Sequence, residues 1–556
     1  MPVTMGADEE ILIVPQPKQL QFNGEWFRFD GFSNLPDNIA SDFNIPKGSW
    51  VIKLSEEEGD HCSINVNDGL IDARGNRYIC YATIIQLTMQ RRGFIPSVEV
   101  YEEFSFKIRG FHLDIARGGV PNVETFKSII RWLFLLKYNY FFIYLEDLYP
   151  WRSYPDIGTL RGRLSEEEWS TIVNYGESYG IEVVPSLELL GHMENILSLP
   201  KYSRFKELWW VPRDGTLDAS SEDARAFALR LLQDVLETSK SRLIHVGGDE
   251  TWSLGRGRSL DKVGFVFKGP ELYLMHYRAI LNMVKKYGKV PVVWGDMLTG
   301  IYLPSEERSI WESVINDKLW DEVIIANWNY EPLSVEDFRN MIDKVGHYSN
   351  QLACPGLSNW NRFYPDFERA LTNVKNFLTA AKERGLSGFL ITAWGDDGEE
   401  CLFTYLTPLI LASMEIAEGM GDWEAKWIRL SGEDEGVLKA RKLFGKGIVS
   451  YNIKNVIYLD RLSTMSNEAK EMIKDEWSKI LDEISDVKLP ESLELIRSMM
   501  ELGLRVIKGE AKADDYWSII DAYAKLWLSE RKPEGLSNVL SRFGKSMLIL
   551  KYNLRG

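Results

Sequence analysis

The stretch Tyr138-Asn139-Tyr140-Phe141-Phe142-Ile143-Tyr144-Leu145-Glu146-Asp147 decides the fold. Its apolar centre is unbroken, aromatic and β-branched, and it closes on two acids. A strand with one wet face alternates; an unbroken run is a strand covered on both faces, as in a parallel sheet. Just upstream, Val123, Phe126, Ile130, Leu133 and Leu136 recur at three- and four-residue spacing, the stripe of a helix with one buried face.

The same unit recurs outward from this stretch in both directions. Further runs lie at Phe106 to Ile115, Gly180 to Glu188, Arg242 to Glu250, Lys289 to Met297, Val323 to Tyr330, His347 to Gly356 and Leu386 to Asp397. Helical patterns separate them, and strand–helix alternation means a parallel sheet. Eight units predict an α/β fold of the (β/α)8 TIM-barrel type, with a doubly wound open sheet as the alternative. From Phe106 to about Gly419 the span exceeds the ~250 residues of a typical barrel, which leaves room for long loops at its mouth.

Ahead of the barrel, Ile11 to Val14, Trp26 to Phe29, Trp50 to Leu54 and Cys62 to Val66 read as strands and Tyr78 to Gln90 as a helix, a small α+β domain. After it, Ile473, Trp477, Ile480, Leu481 and Ile484 form a helical stripe, and Pro490 heads another helix. The expected organisation is an N-terminal α+β domain over 1–105, a barrel over 106–420 and a helical domain over 421–556. The helical stripes of the last region are compatible with packing on the barrel or with a homodimer.

The 556 residues are 45% hydrophobic, 12% aromatic and 26% charged, a folded chain and not a disordered one. Against 65 Lys and Arg stand 81 Asp and Glu, a net charge of −16 that argues against binding a phosphate backbone, so no nucleic acid is expected as partner. Apolar stretches such as Trp132 to Leu136 fall far short of the ~20 residues that span a bilayer, so no membrane is expected either. Asp8, Glu9 and Glu10 stand where a secretory signal carries positive charge and then an apolar run. Cys62, Cys80, Cys354 and Cys401 lack CxxC spacing and suggest neither a zinc knuckle nor a disulfide framework. Together these features predict a cytoplasmic protein in a reducing compartment.

In such barrels the active site lies at the C-terminal ends of the strands. There the sequence places Asp114 and Arg117, Glu146 and Asp147, Glu188 with His192, and His245 with Asp249 and Glu250. Further round the ring stand Trp294 and Asp296, Trp328 and Tyr330, then Trp394, Asp396 and Asp397. Any one such acid could equally be a helix cap or a loop ion pair. Acids and tryptophans on seven strands suggest a sugar pocket, because indole faces pack on pyranose faces while carboxylates and Arg bind hydroxyls. Trp294, Trp328 and Trp394 read as pocket walls, Trp132 and Trp477 as core, and Trp360 as either. No GxGxxG or GxxxxGK[ST] spacing is present, so no nucleotide cofactor is expected. Within His245-Val246-Gly247-Gly248-Asp249-Glu250 the glycines let both adjacent acids face the mouth, and Glu250 is the candidate general acid.

Residues 245–250 resemble the HxGGDE motif of glycoside hydrolase family 20, the β-N-acetylhexosaminidases. Leu113-Asp114-Ile115-Ala116-Arg117 is similar to its LDxxR, Tyr144-Leu145-Glu146-Asp147 to its HLTD, and Leu190-Gly191-His192 to its PGH. Ile13 to Lys18 is similar to the opening of the family's N-terminal domain, and Asp249 to Asp261 to a bacterial branch with helical C-terminal extensions. The resemblance implies an exo-acting, retaining hydrolase that removes terminal β-linked GlcNAc or GalNAc from an oligosaccharide or glycoconjugate, with no cofactor and no metal. It implies that Glu250 protonates the glycosidic oxygen, that Asp249 orients the 2-acetamido group, and that Asp147 and His192 form a relay toward Glu250. The acetamide-binding Tyr falls on Tyr330, with Tyr364 and Tyr405 as alternatives. Arg117, His245, Trp294, Asp296, Trp328, Trp360, Trp394 and Asp396 complete the candidate substrate-binding set. Leu190 stands in place of the motif's proline, Tyr144 in place of its His and Asp396 in place of its usual Glu. Three other readings compete: a β-glucosaminidase on the same barrel, a metal-dependent hydrolase built on His112 and Asp114, and a catalytically silent sugar-binding protein.

Overall fold

The computed structural model describes residues 3–4, 10–262, 264–300, 303 and 305–554. Asp8 and Glu9, part of the non-secretory reading, lie outside the described residues.

An N-terminal sheet of β1 (Val3–Thr4), β2 (Gln19–Arg28), β3 (Val51–Glu56), β4 (His61–Asn67), β5 (Leu70–Gly75) and β6 (Phe94–Glu103) runs in the order β1-β2-β6-β4-β5-β3. One helix, Arg77–Thr88, packs against it, capped where Asn76 accepts the N–H groups of Tyr78 and Ile79. β5 and β6 are absent from the sequence reading, and Ile11 to Val14 is not a ladder strand. The backbone of that run is instead paired by two glutamine side chains, Gln86 on the helix and Gln90 just past its end: Gln90 exchanges hydrogen bonds with Leu12 and Gln86 with Val14, all at 2.8–3.0 Å. The amides meet the same demand for buried backbone partners that a neighbouring strand would meet. Cys62 on β4 and Cys80 on the helix form a disulfide, which corrects the expectation of none. Their 18-residue separation hides a pairing that the fold creates, and the bridge removes the cysteine argument for a reducing compartment.

Each of the eight apolar runs contains one barrel strand: β7 (Ile108–Asp114), β8 (Tyr140–Tyr144), β9 (Glu182–Ser186), β10 (Leu243–His245), β11 (Val290–Trp294), β12 (Ile324–Trp328), β13 (Gln351–Cys354) and β14 (Gly388–Ala393). Neighbours are parallel throughout, and β14 pairs back onto β7 from Gly388↔Ile108 to Ala393↔Leu113. The ring is closed, so the open-sheet alternative is excluded. Its lumen is filled and not hollow: the buried rings of His112 and His245 lie 5.4 and 4.3 Å from Trp294.

Beyond the barrel the chain is helical, with long helices at Asn467–Glu483, Glu491–Ile507, Trp517–Glu530 and Leu536–Tyr552. These helices pack on the barrel, where the loop after β14 meets four cations. Lys454 reaches Glu400 at 2.8 Å and Asp397 at 3.0 Å, and Arg542 reaches the same two acids at 2.7 and 2.8 Å. Arg461 also pairs with Asp397. Arg531 donates to the carbonyls of Glu399 and Cys401, and Glu399 turns its carboxylate to the Gly119 N–H at 2.7 Å. No helix among the described residues is long and apolar enough to cross a membrane.

Candidate active site

The loops leaving the barrel strands converge on a cavity of about 270 Å³ lined by Arg117, His192, Asp249, Glu250, Trp328, Tyr330, Trp360, Trp394 and Asp396. All nine were candidates from sequence. The volume lies just under the ~300 Å³ at which drug-sized pockets begin, room for one sugar ring.

His192 is the centre of one wall. Its Nε2 lies 3.2 Å from an Asp249 oxygen and 3.3 Å from a Glu250 oxygen, so one imidazole bridges the adjacent acids. Burial opposes charging this ring, but the Asp249 carboxylate beside it prevails and holds its pKa well above the ordinary 6.5. Burial would likewise raise Asp249; the His192 charge reverses that and lowers it. The pair is therefore an imidazolium and a carboxylate. Below Asp249 sits Glu188, 2% exposed, whose pKa burial and the Asp249 charge push well above its ordinary value, which favours its protonated form.

The backbone that delivers these groups is unusual. Glu146, His192 and Glu250 have φ of +44°, +47° and +46°, left-handed values that side chains with a Cβ rarely adopt. Such conformations cost about 1–3 kcal/mol each and persist where the surroundings enforce them. Gly247 and Gly248, at φ +70° and +104°, are required for the turn: a Cβ on Gly247 would stand 2.2 Å from Glu188 Oε2, and one on Gly248 2.8 Å from the hydroxyls of Tyr273 and Tyr277. The glycines thus serve backbone conformation and close packing. Glu250 is further tied down by its own N–H, which donates to Asp296 at 2.9 Å.

On the opposite wall Arg117 lies 2.9 Å from Asp114, 3.5 Å from Glu146 and 3.8 Å from Asp396. Its guanidinium covers the rings of Tyr144 and Trp394. Trp394 donates its indole N–H to the Tyr330 hydroxyl at 2.7 Å, and Tyr330 lies 5.1 Å from both the Trp328 and Trp360 rings. Three indoles and a phenol thus form an aromatic box. Tyr364 and Tyr405 are buried against each other, outside the box.

Several candidates lie elsewhere than expected. His245 and Trp294 are fully buried below the cavity and not on its wall, because strand residues facing the lumen fill the barrel core. Asp296 is also buried. It supports the Glu250 N–H and the Trp328 indole N–H from beneath, and burial followed by the Asp249 charge pushes its pKa up to about 8. Asp147 does not adjoin His192; it pairs with Arg161 at 3.0 Å. Glu146 takes that place, its carboxylate within 4.8 Å of ligating atoms of His192 and Glu194. The left-handed turn at Glu146 exchanges the two acids, a turn invisible in sequence. Burial raises Glu146 to about 8, with Tyr144 and Asn195 donating to it. Neither Asn195 nor Arg161 was read from sequence, since Arg161 stands in a loop and Asn195 on the one-turn helix Glu194–Leu197, both too short to show a periodic pattern. His112 lies in the lumen against Trp394, kept neutral by burial, while Asp114 is committed to Arg117, Ala116 N–H and Gly395 N–H. The pair required by the metal-hydrolase reading does not form.

Residues 106–337 match the family model described as glycosyl hydrolase family 20, catalytic domain, which ends after β12 while the barrel continues to β14. The chain is 24% identical to Hexosaminidase D of Bos taurus over 319 residues, covering 56% of this chain and 90% of that protein. In fold it is similar to a chitobiase from Flavobacterium johnsoniae (16% identity, 94% of this chain and 100% of that one, TM-score 0.61). It is also similar to a β-N-acetylhexosaminidase from Bacteroides fragilis (20% identity, 76% and 97%, TM-score 0.59).

Proposed function

We propose that the chain, whose residues 106–337 match the catalytic domain of glycosyl hydrolase family 20, is a glycoside hydrolase of the hexosaminidase type that removes terminal β-linked N-acetylhexosamine with retention of configuration. The observation that carries the proposal is the pair Asp249 and Glu250, bridged by His192 and facing a one-ring cavity boxed by Trp328, Tyr330, Trp360 and Trp394.

In the proposed mechanism Glu250 gives its proton to the glycosidic oxygen as the C1–O bond breaks, and the leaving alcohol departs neutral. The substrate's own acetamide oxygen forms the new bond to C1, giving a cyclic oxazolinium. Asp249, ionised beside His192, accepts the acetamide N–H and offsets the positive charge that develops, while Tyr330 contacts the acetamide oxygen. Glu250, now a carboxylate, takes a proton from water as that water attacks C1. The intermediate opens, and the acetamide is restored. Two inversions leave the configuration unchanged. Arg117 and Asp396 stand where ring hydroxyls would be bound, and the small cavity supports exo-action.

The test is initial-rate hydrolysis of the 4-nitrophenyl β-glycosides of GlcNAc, GalNAc, glucosamine and glucose, with Glu250→Gln as control. Turnover of an N-acetylated sugar, lost in the variant, is the expected result. A preference for glucosamine or glucose would overturn substrate assistance. Asp249→Asn should lower kcat more than it raises KM; unchanged turnover would remove that residue's role.

A further inference from the structure

Two adjacent tryptophans stand in solvent on the mouth side of the barrel, Trp209 at 58% and Trp210 at 54% exposure, their rings edge to face at 5.6 Å. They lie on the loop that runs from β9 to the helix Glu222–Thr238, the loop that also carries His192. Single exposed apolar residues are ordinary, but two neighbouring indoles left wet mark a surface made for contact.

The loop that presents them is braced. Lys206 is buried and its ammonium donates to the carbonyls of Val211 (3.3 Å) and Pro212 (2.6 Å), while Asp214 accepts the Leu208 N–H at 2.8 Å. Glu207, fully buried, holds the next loop by accepting from Gly257 N–H at 2.8 Å and from the Ser259 hydroxyl, and Arg258 donates back to the Lys206 carbonyl. That next loop leaves β10, bears Glu250 and exposes Trp252 at 38%. On its other side Arg213 reaches Asn195 at 3.3 Å, and Asn195 donates to Glu146 beside His192. The indoles are thus fixed to the wall formed by His192 and Glu250, opposite the aromatic box.

The position decides the occupant. If Glu250 protonates the leaving oxygen, the leaving portion departs past Glu250, over the β9 and β10 loops. Trp209, Trp210 and Trp252 are the indoles that those two loops expose, among the described residues. A further pyranose presents an apolar face to an indole, and Arg213 offers donors for its hydroxyls.

We propose that Trp209 and Trp210, with Trp252 nearer the acid, form a platform for the leaving side of the substrate. The natural substrate is then an oligosaccharide that extends at least one pyranose beyond the cleaved bond. This rests on the hexosaminidase reading and adds the substrate's length to it.

The experiment compares kcat/KM for methyl β-N-acetylglucosaminide, whose leaving group is too small to reach the platform, with that for N,N′,N″-triacetylchitotriose. Wild type, Trp209→Ala, Trp210→Ala and the double variant are measured, with Trp→Phe replacements as rescue. The expected result is a loss of about tenfold per indole on the trisaccharide, the equivalent of about 1.4 kcal/mol, with the methyl glycoside unchanged and Phe restoring most of the loss. Equal losses on both substrates, or none on the trisaccharide, would overturn the proposal. So would variants that alter only sedimentation, since the indoles would then contact a second copy of the chain. Binding of the trisaccharide to Glu250→Gln, followed by tryptophan fluorescence with and without the platform indoles, reads the platform independently of turnover. Wild type that binds through the platform but cleaves neither sugar would refute the hexosaminidase reading alone.

Discussion

Replacing His192 with Ala removes the neighbouring charge that opposes the burial of Asp249. At 3.2 Å and an effective dielectric of about 20, Coulomb's law gives about 5 kcal/mol for the pair. Part of this is offset by desolvation, and removing one partner of a buried pair typically costs about 3–5 kcal/mol. At about 1.36 kcal/mol per pK unit, that is enough to move the Asp249 carboxyl upward by two units or more. The acidic limb of kcat/KM against pH, measured with the 4-nitrophenyl glycoside of GlcNAc, should therefore shift upward by about two units, beyond any uniform loss of rate. Stability should follow the same pair. The lowered Asp249 contributes stability that is present above its ordinary 3.8 and is lost as pH falls through its lower folded value. The raised His192 contributes stability that is present below its ordinary 6.5 and is lost as pH rises through its higher folded value. The gap in unfolding midpoint between wild type and His192→Ala should thus be widest between about pH 4 and 6.5 and narrow at higher pH. An acidic limb that stays in place while the rate falls at every pH would refute the reasoning.

Glu188→Gln should keep the unfolding midpoint and most of the turnover, because the buried carboxyl favours its neutral form, whereas Glu188→Ala should lose both; equal damage from Gln would mean an ionised Glu188. Gly247→Ala puts a Cβ in the left-handed region, about 1–2 kcal/mol by itself, and displaces Glu188, so denaturant titration and initial rates should both fall. Lys454→Met leaves buried Glu400 with Arg542 alone of its two cations, and calorimetry should register a loss below the about 3–5 kcal/mol of a fully unpaired buried charge, which Glu400→Gln in the same chain largely recovers.

The barrel is legible because its strands are covered on both faces and so spell unbroken runs such as Phe141 to Leu145. β5 and β6 escape because a strand with one wet face offers only alternation, and Leu70–Gly75 is too short for that to stand out. Asp249 and Glu250 are legible as neighbours after paired glycines. The exchange of Glu146 for Asp147 is not, since it depends on one backbone angle. The sequence favours Tyr330 with Tyr364 and Tyr405 as alternatives, and packing separates the one on the cavity from the two in the core. The cations that join the helices to the barrel look like surface charges, because their partners stand 54 to 145 residues away.

In (β/α)8 barrels new specificities arise by variation of the loops at the C-terminal ends of the strands. Here the loop after the last strand begins with Trp394 and Asp396 on the cavity and continues at once into Asp397, Glu399 and Glu400, gripped by Arg461, Lys454, Arg542 and Arg531. A barrel excised at residue 420 would strand three acids without their cations, one residue beyond the cavity wall. Any transplant of this loop must bring the helices with it. The N-terminal sheet is bound in the same way, since barrel Lys137 forms a buried pair with Glu102 at 2.5 Å and Arg109 reaches Asp60 at 3.1 Å, so recombination of such chains would keep all three parts together as one inherited piece.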